Sequence, residues 1–60
     1  MQPLTRFFLQ NYFVNMEIKG SFRRSGKKWA FTFKDKITAE VVRQDLRLNS
    51  TNSIINIEKN

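Results

Sequence analysis

The stretch that decides the fold is Met16–Lys34, MEIKGSFRRSGKKWAFTFK. Apolar and polar residues alternate through both of its halves, a pattern typical of strands that bury one face. Between the halves, Gly26 can adopt the positive φ that a tight hairpin turn often requires. We therefore predict an antiparallel hairpin, with one strand over 16–24 and the other over 28–34.

The same alternation sorts the hairpin side chains onto two faces. Trp29, Phe31 and Phe33 share one face, which we expect to pack on the core. Four basic side chains are expected on the opposite face: Lys19, Arg23, Lys28 and Lys34. Arg24 and Lys27 are expected at the turn itself. The hairpin is thus predicted to be apolar on one side and cationic on the other.

A helical pattern follows the hairpin, from Ala39 to about Leu48. Thr38 is predicted to cap this helix, with Ile37 packed on Val42 as a hydrophobic staple, and Asp35 is a second candidate cap. The polar residues 49–52 then interrupt the pattern. Residues 53–58 carry a run of isoleucines, which predicts a closing strand.

Residues 1–15 suit both a helix and a strand, since their large apolar side chains fit either period. We treat them as an N-terminal extension that packs on this domain or on a partner. Residues 16–60 then form a single small domain. The predicted fold is α+β, in the order strand, strand, helix, strand, with one helix packed on one face of a small antiparallel-type sheet.

Composition excludes several classes of protein. A chain of 60 residues without cysteine or histidine has neither disulfides nor the usual zinc ligands to stabilise it. It also lacks the commonest general base and the thiol nucleophile, and its five acids are scattered along the chain. We expect no catalysis, no cofactor, no metal and no small-molecule substrate. No apolar run approaches the roughly 20 residues of a membrane span, so a soluble, cytoplasmic protein is expected.

Charge is the strongest functional signal. Eleven basic residues face five acids, giving a net charge of +6 and a pI near 10.4, which favours a polyanionic partner. The candidate nucleic-acid-binding residues come from the hairpin and the predicted helix: Lys19, Arg23, Arg24, Lys27, Lys28, Lys34, Lys36, Arg43 and Arg47. The alternative is a solvated outer face. Trp29 is a candidate for stacking on unpaired bases, and the alternative is a core position.

Several segments resemble the archaeal large-subunit ribosomal protein LX family over about residues 16–59. They are Ile18–Phe22 (IKGSF), the basic turn, the Phe-Thr strand, Asp45-Leu46 at the helix end and Ile55–Glu58 (INIE). The resemblance implies a strand-strand-helix-strand domain bound to ribosomal RNA beside other ribosomal proteins. It implies RNA contacts at Arg23, Arg24, Lys27 and Lys28. The glycine-containing basic loop that follows the family's helix is replaced here by residues 48–52, so its contacts are not implied.

Two other functions stay open. Residues 23–29, RRSGKKW, with the strand and helix that follow, are similar to the arm-binding N-terminal domain of some phage integrases, which sets a small sheet into the DNA major groove. The closing isoleucine strand argues against that interpretation. The other alternative is an adaptor that docks on a larger assembly through its aromatic N-terminus. Our leading prediction is a structural RNA-binding protein with weak sequence preference, because charge dominates the hairpin.

Overall fold

The computed structural model describes residues 4–58, so positions 1–3 and 59–60 of the ranges predicted above lie outside the described residues. It has the α+β fold expected from the sequence, with one more helix. Its elements in chain order are α1 (Arg6–Asn15), β1 (Gly20–Ser25), β2 (Lys28–Phe33), α2 (Lys36–Asp45) and β3 (Ser53–Ile57).

The three strands form one sheet in the order β1-β2-β3. β1 and β2 pair antiparallel through a two-residue turn, and Gly26 in that turn has φ 63°, as predicted. β3 pairs parallel to β2, so the sheet is mixed and the prediction of an antiparallel-type sheet was wrong in this respect. The reason is topological: α2 carries the chain back along the sheet, and a strand that follows such a crossover runs parallel to the strand before it.

Both helices contribute to one hydrophobic core on one face of the sheet. Trp29, Phe31 and Phe33 of β2 point into it, and the last two are fully buried. Leu9 and Phe13 come from α1, and α2 and the following loop supply the rest: Ala39, Val42 and Leu48. No helix of the described residues 4–58 packs on the other face of the sheet.

The N-terminal segment is part of this core. The ring of Phe13 lies 5.0 Å from that of Phe22 and 6.3 Å from that of Phe31, measured between centroids. Phe8 and Tyr12 also pack against the core, whereas Phe7 is 80% exposed. Residues 4–15 therefore pack on this domain, which is the first of the two alternatives given for the N-terminal extension.

The first predicted strand begins too early. Met16 is the C-cap of α1, and Glu17 adopts a left-handed conformation with φ 53°, so the chain turns here before β1 starts at Gly20. Gly20 is needed by the sheet itself. A Cβ added to it would lie 2.4 Å from the carbonyl oxygen of Thr32 on β2, so the close approach of the β2 backbone explains the glycine.

The second helix begins earlier than predicted. Asp35, the second candidate cap, is the N-cap: its carboxylate accepts a 2.7 Å hydrogen bond from the Thr38 N–H. That bond, together with hydrogen bonding to the Thr38 side chain, holds the pKa of Asp35 below its usual range. Thr38 then lies within the first turn, and Ile37 is 79% exposed. The predicted staple between Ile37 and Val42 was therefore wrong.

Candidate nucleic-acid interface

We call the sheet surface opposite the helices the open face. It is made of the side chains that alternate with the core residues along each strand. From β1 come Ser21, Arg23 and Ser25, from β2 Lys28, Ala30 and Thr32, and from β3 Ile54 and Asn56. Lys34 and Glu58 continue the same alternation one residue beyond the ends of β2 and β3. Lys19 precedes β1 and lines a cavity together with Ile37 and Val41 of α2.

The cations of the open face lie at both ends of it. Arg23 is paired with Ala30, so Lys28 is its diagonal neighbour across the ladder, at a distance of about 7–8 Å between the backbones. Lys34 lies at the opposite end, one residue beyond the Gly20–Phe33 pair. The register places Arg23 and Lys28 on one side of the hairpin, as predicted, and Lys19 lies outside the paired residues.

Within residues 4–58, Lys34 is the one cation of the open face that has a carboxylate partner. The Lys34 ammonium lies 2.6 Å from the Glu58 carboxylate, and both side chains remain about half exposed. Over residues 4–58 the sole other ion pair is Arg43 with Glu40, at 3.1 Å on α2. It holds the pKa of Glu40 below its usual value. Lys19, Arg23 and Lys28 carry charge that the described part of the chain does not neutralise.

Small polar side chains occupy the middle of the open face. Ser21 lies opposite Thr32, and Thr32 lies opposite Asn56, so three hydrogen-bonding groups form a row across the strands. None of their side-chain groups is hydrogen-bonded within residues 4–58. A shallow cavity of about 160 Å³ lies at this row, bounded on the other side by Lys34 and Glu58. The row can donate to and accept from a polar ligand.

The two basic residues predicted at the turn diverge. Lys27 is exposed in the turn beside Gly26. Arg24 belongs to the opposite face from Arg23, because it pairs with Trp29 in the register. Its guanidinium carbon lies 5.2 Å from the centroid of the Trp29 ring, and its Nε donates a 2.9 Å hydrogen bond to the Gly26 carbonyl.

The candidate residues of α2 do not extend the open face. α2 packs on the covered side of the sheet through Ala39 and Val42, so its outward side chains point away from Arg23. Arg43 is paired with Glu40 there. Lys36 opens the first turn of the helix, and Arg47 follows its C-cap. The expectation that the helix arginines continue the hairpin surface was therefore wrong.

Trp29 is not placed to stack on a base. It is 5% exposed, and its indole N–H donates a 3.2 Å hydrogen bond to the Leu4 carbonyl. All the aromatic side chains of the sheet lie on the covered face with it. The core alternative is correct for Trp29, and the stacking alternative is wrong.

Arg6 was not among the predicted site residues. Its guanidinium carbon lies 5.8 Å from the Trp29 ring centroid, so Arg6 and Arg24 both approach the same indole. Both side chains are exposed and neither is paired with a carboxylate of residues 4–58. No local pattern marks Arg6, because its neighbour on the ring lies eighteen positions away in sequence.

The carboxylates of the chain are dispersed. Glu17 and Glu58 are associated with β1 and β3, which lie on opposite sides of β2, so they do not form a pair. Asp35 caps α2, and Asp45 accepts a hydrogen bond from Tyr12. Residues 4–58 contain no cluster of potential metal ligands and no helix long and apolar enough to cross a bilayer.

The N-terminal docking surface expected of an adaptor is reduced by the fold. Leu9 and Phe13 are buried in the core, and Phe8 and Tyr12 are partly buried. Phe7, Val14 and Met16 are the large apolar side chains of α1 and its C-cap that stay exposed. The adaptor alternative therefore retains these three side chains, without the aromatic residues that are in the core.

Comparison with known proteins identifies no relative. No protein-family model, no curated protein and no solved structure matches this chain. Function must therefore be inferred from the surfaces described above.

Proposed function

We propose that this chain is a non-catalytic, cytoplasmic protein that binds folded, double-helical RNA through the open face, with the ribosomal large subunit as its setting. One observation carries the proposal. Over residues 4–58, the side of the sheet that no helix covers bears Arg23 and Lys28 without carboxylate partners, beside a row of hydroxyl and amide groups that form no hydrogen bond there. The resemblance to the LX family supports the ribosomal setting.

The charge on the open face favours a phosphate backbone as the ligand. Like charges on neighbouring strands repel each other and lower the stability of the free protein. A polyanion relieves that repulsion and releases its own condensed counterions on binding. Arg23 can fork onto a phosphate through two N–H groups, whereas Lys28 acts as a point charge.

The ligand is a double helix rather than a single strand because the open face carries no aromatic side chain. Proteins that bind single strands stack the exposed bases on aromatic rings. Here Phe22, Trp29, Phe31 and Phe33 all lie on the covered side with the helices. Contacts from the open face are therefore limited to charges and hydrogen bonds, which reach phosphates and sugars but do not hold unstacked bases.

The width of the sheet and its polar row favour RNA over DNA. Three strands about 4.8 Å apart make a surface broader than the two-stranded ribbon that the B-DNA major groove accepts. The minor groove of an RNA helix is wide and shallow, and it displays 2′-hydroxyl groups. Ser21, Thr32 and Asn56 can exchange hydrogen bonds with those hydroxyls.

DNA binding is the second candidate, and the hairpin supports it. β1 and β2 alone form a two-stranded ribbon with Arg23 and Lys28 on one side of its turn end. Such a ribbon fits the major groove, and arginine there reads guanine. This alternative requires a clear sequence preference, whereas the RNA proposal expects a weak one.

Fluorescence anisotropy with three labelled probes of the same sequence tests the proposal: duplex RNA, duplex DNA and single-stranded RNA. We expect the duplex RNA to bind tightest, with an affinity that falls steeply between about 50 and 200 mM salt. Equal affinity for the two duplexes would defeat the RNA assignment. Tighter and sequence-dependent binding of duplex DNA would favour the second candidate instead.

A matched pair of double variants tests the surface. Arg23→Gln with Lys28→Gln removes two charges from the open face. The slope of log affinity against log salt concentration should become shallower by about one for each residue replaced. Lys36→Gln with Arg43→Gln removes the same two residue types from α2. The α2 variant should bind as the wild-type chain does. Equal losses from both variants would mean that net charge, rather than the open face, drives binding.

The ribosomal setting has its own test. We expect the protein to co-sediment with the large subunit at moderate salt. The open-face variant should be released at lower salt than the α2 variant. Recovery of the protein only in the free fraction would remove the ribosomal setting, while the anisotropy measurements would still decide whether duplex RNA is the ligand.

A further inference from the structure

Two arginines share one indole ring at the turn end of the sheet. The guanidinium carbon of Arg6 lies 5.8 Å from the Trp29 ring centroid, and that of Arg24 lies 5.2 Å from it. Arg6 is the first residue of α1 and Arg24 is near the end of β1. We call Arg6 and Arg24 the arginine pair. Its two members come from separate elements, so the tertiary fold brings these positive charges together.

Trp29 and its contacts hold the pair in position. The ring is buried, and its N–H bond to the Leu4 carbonyl fixes its orientation just before α1 begins. Arg24 uses its Nε on the Gly26 carbonyl, which leaves its two terminal nitrogens free to bind another group. Cation–π contact with the indole stabilises each guanidinium in a defined place.

The charges of the arginine pair are not neutralised by the described part of the chain. Neither arginine forms an ion pair with a carboxylate of residues 4–58, and both side chains are exposed. Both guanidinium carbons lie close to one ring centroid, at 5.8 and 5.2 Å, so two like charges are concentrated at this edge of the core. A ligand with several anionic oxygens would be attracted to both charges and would reduce their repulsion. A phosphate group fits this requirement better than a single carboxylate.

The arginine pair lies on the other side of the hairpin from the open face. Arg23 and Arg24 are consecutive on β1 and point to opposite sides of the sheet. The exposed turn, with Lys27, separates the two surfaces. A nucleic acid whose groove lies against Arg23 and Lys28 therefore does not contact the arginine pair.

We propose that the arginine pair is a second phosphate-binding site, and that the hairpin thereby holds two separate segments of folded nucleic acid at once. The inference rests on the function proposed above and deepens it. The open face binds one helix, and the arginine pair binds a phosphate of another. The protein is then a bridge between two helices.

The competing explanation is purely structural. Arginines placed over an exposed edge of the core shield an indole from water, and such a role needs no ligand. The two explanations differ in what binding does to Trp29, which is the only tryptophan of the chain. A phosphate held by the pair changes the surroundings of the ring, whereas a duplex on the open face does not touch it.

The bridge is tested with the RNA duplex of the anisotropy experiment, prepared in two batches that carry a donor and an acceptor dye. Wild-type protein should produce energy transfer between the batches, strongest near one protein per two duplexes, together with a change in Trp29 emission. Arg6→Gln with Arg24→Gln should weaken the second binding event by about tenfold or more. The same variant should bind the first duplex as well as its control does.

That control is Arg43→Gln with Arg47→Gln, which removes two arginines outside both surfaces and should keep energy transfer. Arg6→Lys with Arg24→Lys retains both charges in case the glutamine variant unfolds, and it should keep more transfer than the glutamine variant. If energy transfer in the lysine variant is no higher than in the glutamine variant, the inference is overturned.

Failure of the inference is distinguishable from failure of the proposed function. If the wild-type chain binds one duplex but gives neither transfer nor a change in Trp29 emission, the arginine pair is structural and the open face remains the binding surface. If the wild-type chain binds no duplex at all, the proposed function fails and the bridge fails with it.

Discussion

The phenolic hydroxyl of Tyr12 donates a 2.7 Å hydrogen bond to the Asp45 carboxylate. Tyr12 belongs to α1 and Asp45 is the last residue of α2, so the bond ties together the two helices that cover the sheet. Burial of the phenol, and then the hydrogen bond and the negative charge of Asp45, raise the pKa of Tyr12 well above its usual value.

The first prediction is that the phenol resists ionisation for as long as the protein is folded. A raised pKa means that the folded chain holds this proton more tightly than the unfolded chain. Its contribution to stability is complete below pH of about 10 and is lost as the pH rises toward the folded pKa. Tyr12 is the single tyrosine, so ultraviolet absorbance of phenolate follows it alone.

The control is Tyr12→Phe, which should lower the free energy of unfolding at neutral pH by about 1 kcal/mol through loss of the hydrogen bond. Because this variant has no phenol to ionise, its stability should fall less than that of the wild-type chain as the pH rises above about 10. A wild-type phenolate titration with its midpoint near pH 10 would show that Asp45 and burial leave the phenol unaffected.

Gly20 leads to the second prediction. Alanine at this position would place a Cβ 2.4 Å from the Thr32 carbonyl oxygen, and a backbone atom in a paired strand has little room to yield. We expect Gly20→Ala to destabilise the protein by about 1–3 kcal/mol in denaturant unfolding. Gly26→Ala is the comparison: it meets no atom within 4 Å, and its cost comes only from the φ of +63°, about 1 kcal/mol. Equal stability of Gly20→Ala and the wild-type chain would contradict the close approach.

The hairpin was predictable because its information is local. Alternation fixed which residues of β1 and β2 share a face, and Gly26 marked the turn. The direction of β3 was missed, although the strand-helix-strand order indicates a parallel return. α1 was ambiguous because its aromatic residues fit two periods, and only the core around Phe13 decides between them.

The residues of the candidate site also fall into two groups, those that the local sequence predicts and those that depend on tertiary packing. Arg23, Lys28 and Lys34 were placed on one face by periodicity alone. The position of α2 on the covered side separates Arg43 and Arg47 from them, and that depends on tertiary packing. Arg6 was missed for the same reason, since it meets Trp29 only in the folded chain.

The helix ends supply the third prediction. Glu17 and Arg47 each come directly after the C-cap of a helix, and both have φ near +55°. The N–H groups of the following residues, Ile18 and Leu48, donate hydrogen bonds to the carbonyls of Phe13 and Arg43. This arrangement is the Schellman motif, in which glycine is preferred at the left-handed position. Glu17→Gly and Arg47→Gly should each stabilise the protein by up to about 1 kcal/mol. Thermal unfolding measures the change, and a lower midpoint for both variants would contradict the left-handed conformations.

The last prediction concerns the row of polar groups on the open face. If Thr32 and Asn56 contact 2′-hydroxyl groups, Thr32→Val and Asn56→Leu should each lower the affinity for duplex RNA by about fivefold, the equivalent of one hydrogen bond of about 1 kcal/mol. Affinity for duplex DNA should stay unchanged, because DNA lacks that hydroxyl. The salt dependence should also stay unchanged, since neither substitution removes a charge. Thr51→Val, in the turn before β3, is the control and should bind both duplexes as the wild-type chain does. Equal losses on RNA and DNA would mean that these side chains contact phosphates, and the preference for RNA would then need another source.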